Sequence, residues 1–443
     1  MNQYTVLRQK MPIHTMPALS TAVVVIIALH AFALACQAAA VPTVVLEKIA
    51  DLHGTHINSP KSVQFSQDGS VFYVNSLEGG ETVVYDSASH ELLQVVRHHF
   101  GAEAANLFSG EDSAFDYAYQ PQADSSCRNC FTGKPVESVL THGGRYLWVS
   151  YYRRDFDRWA QSPSAMAVID TRTNTIARVM PTGPLPKALA VSPDGKKLAV
   201  VHWGDNTVGI VDISADDPFG FSYVAHFVAG KRLDMSRMAG KRRDAVCGLC
   251  LRGAAFSADG NTLFVARMSG GGIEVFSLDG EEPPHVVCTE ISAPRHLVLS
   301  PDGATLYVSA RRSVFAIPVD ALLEPRETVP CSSLRVGRGV RTIALSPDGK
   351  RLYAVSNHTS TLSCIDLQQW KVLQTVSVPR YAVGLAVSPD GKKIVTTSQG
   401  RHGSGGHVVA IYAVHEGREK QSGKKTSGVK TSENPMPESS AQQ

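Results

Sequence analysis

The chain has 443 residues, with 43 Lys and Arg against 40 Asp and Glu, a formal charge of +3, 43% hydrophobic and 19% charged residues. This near-balance excludes the strongly basic character of a nucleic-acid binder and the low-hydrophobicity character of a disordered chain, so local clusters of charge matter more than their sum. Length alone suggests two or three domains, unless the chain is built from repeats.

Residues 1–40 read as an export signal. Arg8 and Lys10 precede the apolar run TAVVVIIALHAFALA, and the small residues Ala38, Ala39 and Ala40 follow, as expected of a signal peptide cleaved after Ala40. An alternative is lipoprotein processing, because Ala33-Leu34-Ala35-Cys36 partly matches a lipobox and would leave an acylated Cys36 as a membrane tether. An uncleaved anchor is disfavoured by His30 inside a run shorter than the ~20 residues a span needs. Either form of processing points to a periplasmic or secreted protein.

From residue 43 onward the sequence repeats itself. LPKALAVSPDGKKLAVV, APRHLVLSPDGATLYVS, GVRTIALSPDGKRLYAV and YAVGLAVSPDGKKIVTT are near-copies, and SPKSVQFSQDGSVFYVN, KPVESVLTHGGRYLWVS and CLRGAAFSADGNTLFVA are looser ones. In register, the first turn residues are Ser66, Thr141, Ser192, Ser257, Ser300, Ser346 and Ser388, the last four spaced 42 to 46 residues apart. Apolar alternation before the turn, β-branched and aromatic residues after it, and Asp-Gly to supply positive φ predict a hairpin in each copy. A second hairpin usually follows, as in TVGIVDIS, so each copy carries four strands. The fold class predicted is all-β: a seven-bladed β-propeller of four-stranded antiparallel blades. The last copy has a third strand at HVVAIYAV and no fourth, so residues 43–50 are expected to return as its outer strand and close the ring.

The line SAMAVIDTRTNTIARVMPTGPLPKALAVSPDGKKLAVVHWGDNTVGIVDIS resembles the YVTN-type β-propeller repeat, found in surface-layer propellers and related to the haem-binding propeller of cytochrome-type nitrite reductases. The resemblance spans roughly residues 43–415, outside insertions at about 97–130 and 226–250. It implies fold far more than function. The polar residues 416–443 read as a disordered tail.

The SPDG turns all fall on one face, which places both insertions on the other. Each insertion ends in a C-x-x-C motif, Cys127/Cys130 and Cys247/Cys250, entering the inner strands of the second and fourth blades. Phe131 and Leu251 stand where a c-type haem site needs histidine, and a strand context does not suit thioredoxin chemistry. Two readings stay open: disulfides, closed locally or stapling one insertion to the other, and a four-thiolate site for Zn²⁺ or Cu(I). Cys288, Cys331 and Cys364 read as buried small residues.

Five positions before each turn residue stand Lys61, Val136, Lys187, Arg252, Arg295, Arg341 and Val383, so most blades offer a cation at the channel mouth. These side chains form either an anion-binding ring or part of blade packing. Arg242 and Arg243 in the second insertion, the loop carrying Arg153, Arg154 and Trp159, and the neighbours His202 and Trp203 complete a candidate binding rim, mixed Arg and aromatic as recognition surfaces are. The resemblance also implies a d-type haem as an alternative cofactor, with His296 at the entrance of an inner strand, or His98, His99, His202, His358, His402 or His407 near the same rim, as the axial ligand. No G-x-S-x-G or H-E-x-x-H supports hydrolysis. The resulting expectation is an exported binding or assembly scaffold for a protein partner or small anion, with a metal-handling or redox protein as the alternative.

Overall fold

The computed structural model describes residues 43–417, except 109–112, 115–116, 119–126, 128, 239, 281, 326–327 and 401–405. The expected signal segment, Cys36, His402 and the tail beyond 417 lie outside the described residues. Val44–His415 form one compact body.

Seven antiparallel sheets of four main strands stand around a central axis. Numbered from the first complete repeat, the inner strands are Pro60–Phe65, Phe131–Thr141, Pro186–Val191, Leu251–Phe256, Pro294–Leu299, Val340–Leu345 and Ala382–Val387. Each inner strand packs on the next, and that of blade 7 packs on that of blade 1. Blade 7 takes its third strand from Val408–Gly417 and its outer strand from Thr43–Leu52, so the ring closes through the N-terminal strand as the unfinished last repeat requires. This closure satisfies two strand edges that would otherwise be open.

The repeated turn explains the repeated motif. In blade 3 the Ser192 hydroxyl donates to Asp194 Oδ1 at 2.5 Å and accepts from the Lys197 amide at 2.9 Å, while Asp194 Oδ1 also accepts from the Lys196 amide at 3.1 Å. Of the Asp-Gly pair only the glycine takes a positive φ, +70° at Gly195, so aspartate serves as a hydrogen-bond acceptor rather than a left-handed residue.

The core lies between blades. Facing layers such as Trp148, Met166, Leu198, Val200 and Phe221 between blades 2 and 3 are fully or almost fully buried. The inner strands approach each other closely: a Cβ on Gly384 would strike the Lys61 carbonyl and the Thr397 hydroxyl. Gly384→Ala is therefore expected to cost about 1–3 kcal/mol, read as a lower urea midpoint, whereas a midpoint matching wild type would show that the channel wall yields.

Each CxxC closes on itself. Cys127–Cys130 and Cys247–Cys250 are disulfides with Cα separations of 5.4 and 4.8 Å, so neither a staple between the insertions nor a four-thiolate metal site forms. Three-residue spacing already brings the sulfurs together, which removes any need for the loops to converge. Cys288 and Cys364 are buried, as expected, but Cys331 is exposed because it lies in the connection to a short outer strand. Two disulfides suit an oxidising, exported environment. Among the described residues no helix is long and apolar enough to cross a membrane.

Candidate functional site

A recurrent backbone irregularity builds the channel mouth. The inner strands slip register against their neighbours between Pro60 and Val63, Pro186 and Ala188, Leu251 and Ala254, Pro294 and His296, and Val340 and Ile343. Within these bulges stand Lys61, Lys187, Arg252, Arg295 and Arg341. A bulge re-aims the side chains it carries, and all five line the same channel. Blade 7 has the bulge with Val383, which is buried, while in blade 2 Val136 is buried and Glu137 lines the channel instead.

Two connected spaces share this ring of cations. An inner chamber of about 380 Å³ reaches down the inner strands past Gln64, Ser138, Leu189 and His296. An outer vestibule of about 490 Å³ is walled by Tyr152, Arg153, Arg158, Trp159, Trp203, Arg242, Asp244 and Tyr381. The vestibule belongs to the insertion-bearing face, since Trp159 and Asp244 come from its loops.

The cations repel one another in a partly dry setting. Burial pushes Lys61 well below its ordinary value, and Arg341, Lys187 and Arg252 push it further, with Glu137 opposing. Burial lowers Lys187 to about 8, partly offset by Asp244. Burial followed by the Arg341 charge lowers Arg252 to about 9 and Arg295 to about 10. Burial raises the Glu137 carboxyl even though Arg252, Lys61, Arg341 and Lys187 all favour its charge. Burial raises the Asp244 carboxyl, but Lys187, Lys61 and Arg252 together hold it below the usual carboxylate range.

Aromatic plates carry part of this charge. Lys187 Nζ donates to Asp244 Oδ1 at 2.6 Å and sits 3.9 Å above the Trp203 ring and 5.0 Å from that of Tyr152. Arg252 lies 5.4 Å from the same Trp203 ring, while Arg158 and Arg242 flank Trp159 at 5.0 and 5.7 Å. Trp203 is 4% exposed and packs with Ala160, Leu185, Cys247 and Cys250, so the second disulfide lies in the layer that supports the ring.

Several residues expected at the rim turn inward. His202 is fully buried, accepting from the Gly183 amide at 3.1 Å and bonding Thr207 Oγ1 at 2.8 Å, so it ties the connection from blade 2 to the third strand of blade 3. Arg154 is buried against Phe131 and Phe156, and Arg243 is buried within its own loop, bonding Met235 Sδ at 2.6 Å. Arg153, Trp159 and Arg242 do reach the vestibule, Arg153 also lying 3.8 Å from Glu78. Glu137, Asp244 and Tyr381 belong to the site and were not foreseen. Glu137 was findable as the sole acidic residue one position after the basic register.

Among the described residues the histidines do not assemble a haem site. His98 is buried on Thr82 and Tyr151, His99 bonds Thr132, and His407 accepts from the Ser59 amide. His296 lies in the channel wall, below a mouth ringed by cations, in a chamber near the lower limit of small-ligand sites, so the residues present do not suit a macrocycle. Among the described residues no group of three or more His, Cys, Asp or Glu is placed to hold a metal ion.

The fold and its axial cavity define a seven-bladed β-propeller, and known structures agree at that level. The chain is similar to the solved structure titled Kuenenia stuttgartiensis hydrazine synthase, with 16% identity, a TM-score of 0.55, and coverage of 78% of this chain and 95% of that one. It is also similar to the β-propeller domain of Myceliophteria thermophila Cps50 (Swd1), with 12% identity, a TM-score of 0.55, and coverage of 84% and 100%. At these identities the likeness concerns the fold alone. No family model matches the chain, and no curated protein matches it.

Proposed function

We propose that this chain is an exported propeller of YVTN-type repeats that works as a binding protein, holding an anionic group on its axis at the insertion-bearing face. The observation that carries this reading is the convergence of Lys61, Lys187, Arg252, Arg295 and Arg341 on one cavity, opposed there by Glu137 and Asp244. Half-buried cations that repel one another are costly in the free protein, and an anion among them offsets that cost.

Calorimetric titration of the exported, folded protein with citrate, pyrophosphate and an acidic peptide tests the reading. Binding of one of them that weakens with salt is expected, and the absence of heat and of any thermal shift with all three would refute it.

The same titration has a pH signature. Lys187 is charged below about 8 and discharges as the pH rises through that value, and Lys61 is shifted in the same direction. Anion affinity is therefore expected to fall about tenfold or more between about pH 7 and 9.5, where carboxylate ligands do not change charge. A flat profile over that range would remove Lys187 from the binding set.

A further inference from the structure

Beyond its charge, the channel mouth has a pattern of donors and acceptors that narrows the ligand. The five ring cations face Glu137 and Asp244, and in the vestibule Arg153, Arg158 and Arg242 add to them with Glu78 opposing, which leaves a surplus of positive charge for a ligand to match. Arg252, Arg295 and Arg341 come from consecutive blades and form an arc of planar forks, the geometry that pairs with carboxylates two oxygens at a time. Chambers of about 380 and 490 Å³ fit a compact molecule rather than a polymer lying in an open groove.

Two further groups in the inner chamber are acceptors. Glu137, when ionised, has no proton to donate. His296 directs one side of its ring to the Ile343 backbone, and that contact favours the protonated nitrogen there. Its Nδ1 is buried and has no hydrogen-bond partner, which leaves it as a bare acceptor in the neutral ring. A pure oxyanion would be attracted by the cations and repelled by both acceptors. A ligand that also carries hydroxyl protons satisfies the whole set.

We propose that the channel mouth takes a compact hydroxy-polycarboxylate, an organic anion with two or three carboxylates for the Lys and Arg ring and a hydroxyl for Glu137 or His296. This rests on the anion-binding reading above and adds the ligand's class to it.

The test compares citrate with tricarballylate, which has the same three carboxylates and lacks the hydroxyl, by calorimetry on the folded full-length mature protein at pH 7. Acetate, pyrophosphate and a penta-aspartate peptide complete the panel. Citrate is expected to bind at least tenfold tighter than tricarballylate, with acetate undetectable. Glu137→Gln and His296→Phe, each checked for a wild-type circular dichroism spectrum, are scored by the citrate to tricarballylate ratio, which a uniform change in charge leaves unaltered. At least one of them is expected to reduce that ratio. Equal binding of the two tricarboxylates, or a ratio unchanged in both folded variants, would overturn the hydroxyl assignment. Tighter binding of pyrophosphate would overturn the carboxylate class, and tighter binding of the penta-aspartate peptide would overturn the compact hydroxylated ligand, each leaving an anion site in place, whereas silence across the whole panel would refute the anion-binding reading itself.

Discussion

Lys61→Met is expected to make the protein more stable and to weaken its hold on anions. The Lys61 ammonium is partly dried and repelled by Arg341, Lys187 and Arg252. Exchanging a poorly compensated buried charge for an apolar side chain of similar length is often neutral or stabilising by about 1–4 kcal/mol, and a gain of about 1–2 kcal/mol is expected in urea denaturation. The same exchange removes one arm of the ring. Losing a buried charge partner typically costs about 2–5 kcal/mol of binding, so anion affinity should drop at least tenfold. The opposite signs separate a functional cluster from a structural one. If these side chains served blade packing, Lys61→Met would lower stability and leave titration with anions unchanged.

Trp203→Ala is expected to damage both properties. Trp203 is 4% exposed, closes a small core with Leu185, Ala160 and the Cys247–Cys250 disulfide, and lies beneath Lys187 and Arg252. Truncating a buried tryptophan costs about 3–5 kcal/mol through lost contacts and the cavity left behind. The cation–π support of two ring members goes with it, so binding should also fall. Trp159→Ala is the contrast, because that ring is 36% exposed and should change stability by no more than about 1 kcal/mol. Equal losses for the two tryptophans would mean that the layer under the ring does not bear on the site.

The reason the fold could be read from the sequence is that each blade restates the same local instruction. In six of the seven blades Ser-x-Asp-Gly fixes the turn through bonds like those of Ser192, and the missing fourth strand of the last repeat announces the closure with Thr43–Leu52. The cationic ring was legible for the same reason, since a repeated bulge places the same register position at the channel in blades 1, 3, 4, 5 and 6. Residues governed by unique loops were harder. Arg153 and Arg154 are adjacent and chemically identical, yet one faces the vestibule and the other is buried between aromatic rings, a choice made by the local bulge in Tyr146–Arg154. Asp244 reaches Lys187 from 57 residues away, a contact that no pattern in the chain foretells. C-x-x-C is equally compatible with a bridge, a staple or a ligand pair, and only the three-dimensional placement of the sulfurs separates them.

The most direct measurement is an X-ray structure of the mature protein crystallised with citrate in low salt, with a second data set from Lys61→Met treated alike. Ordered density for the anion on the propeller axis, within hydrogen-bonding distance of Arg252, Arg295 and Arg341 and lost in the variant, is the predicted result. An axis that holds only water in both crystals, or citrate bound at another surface, would contradict the account.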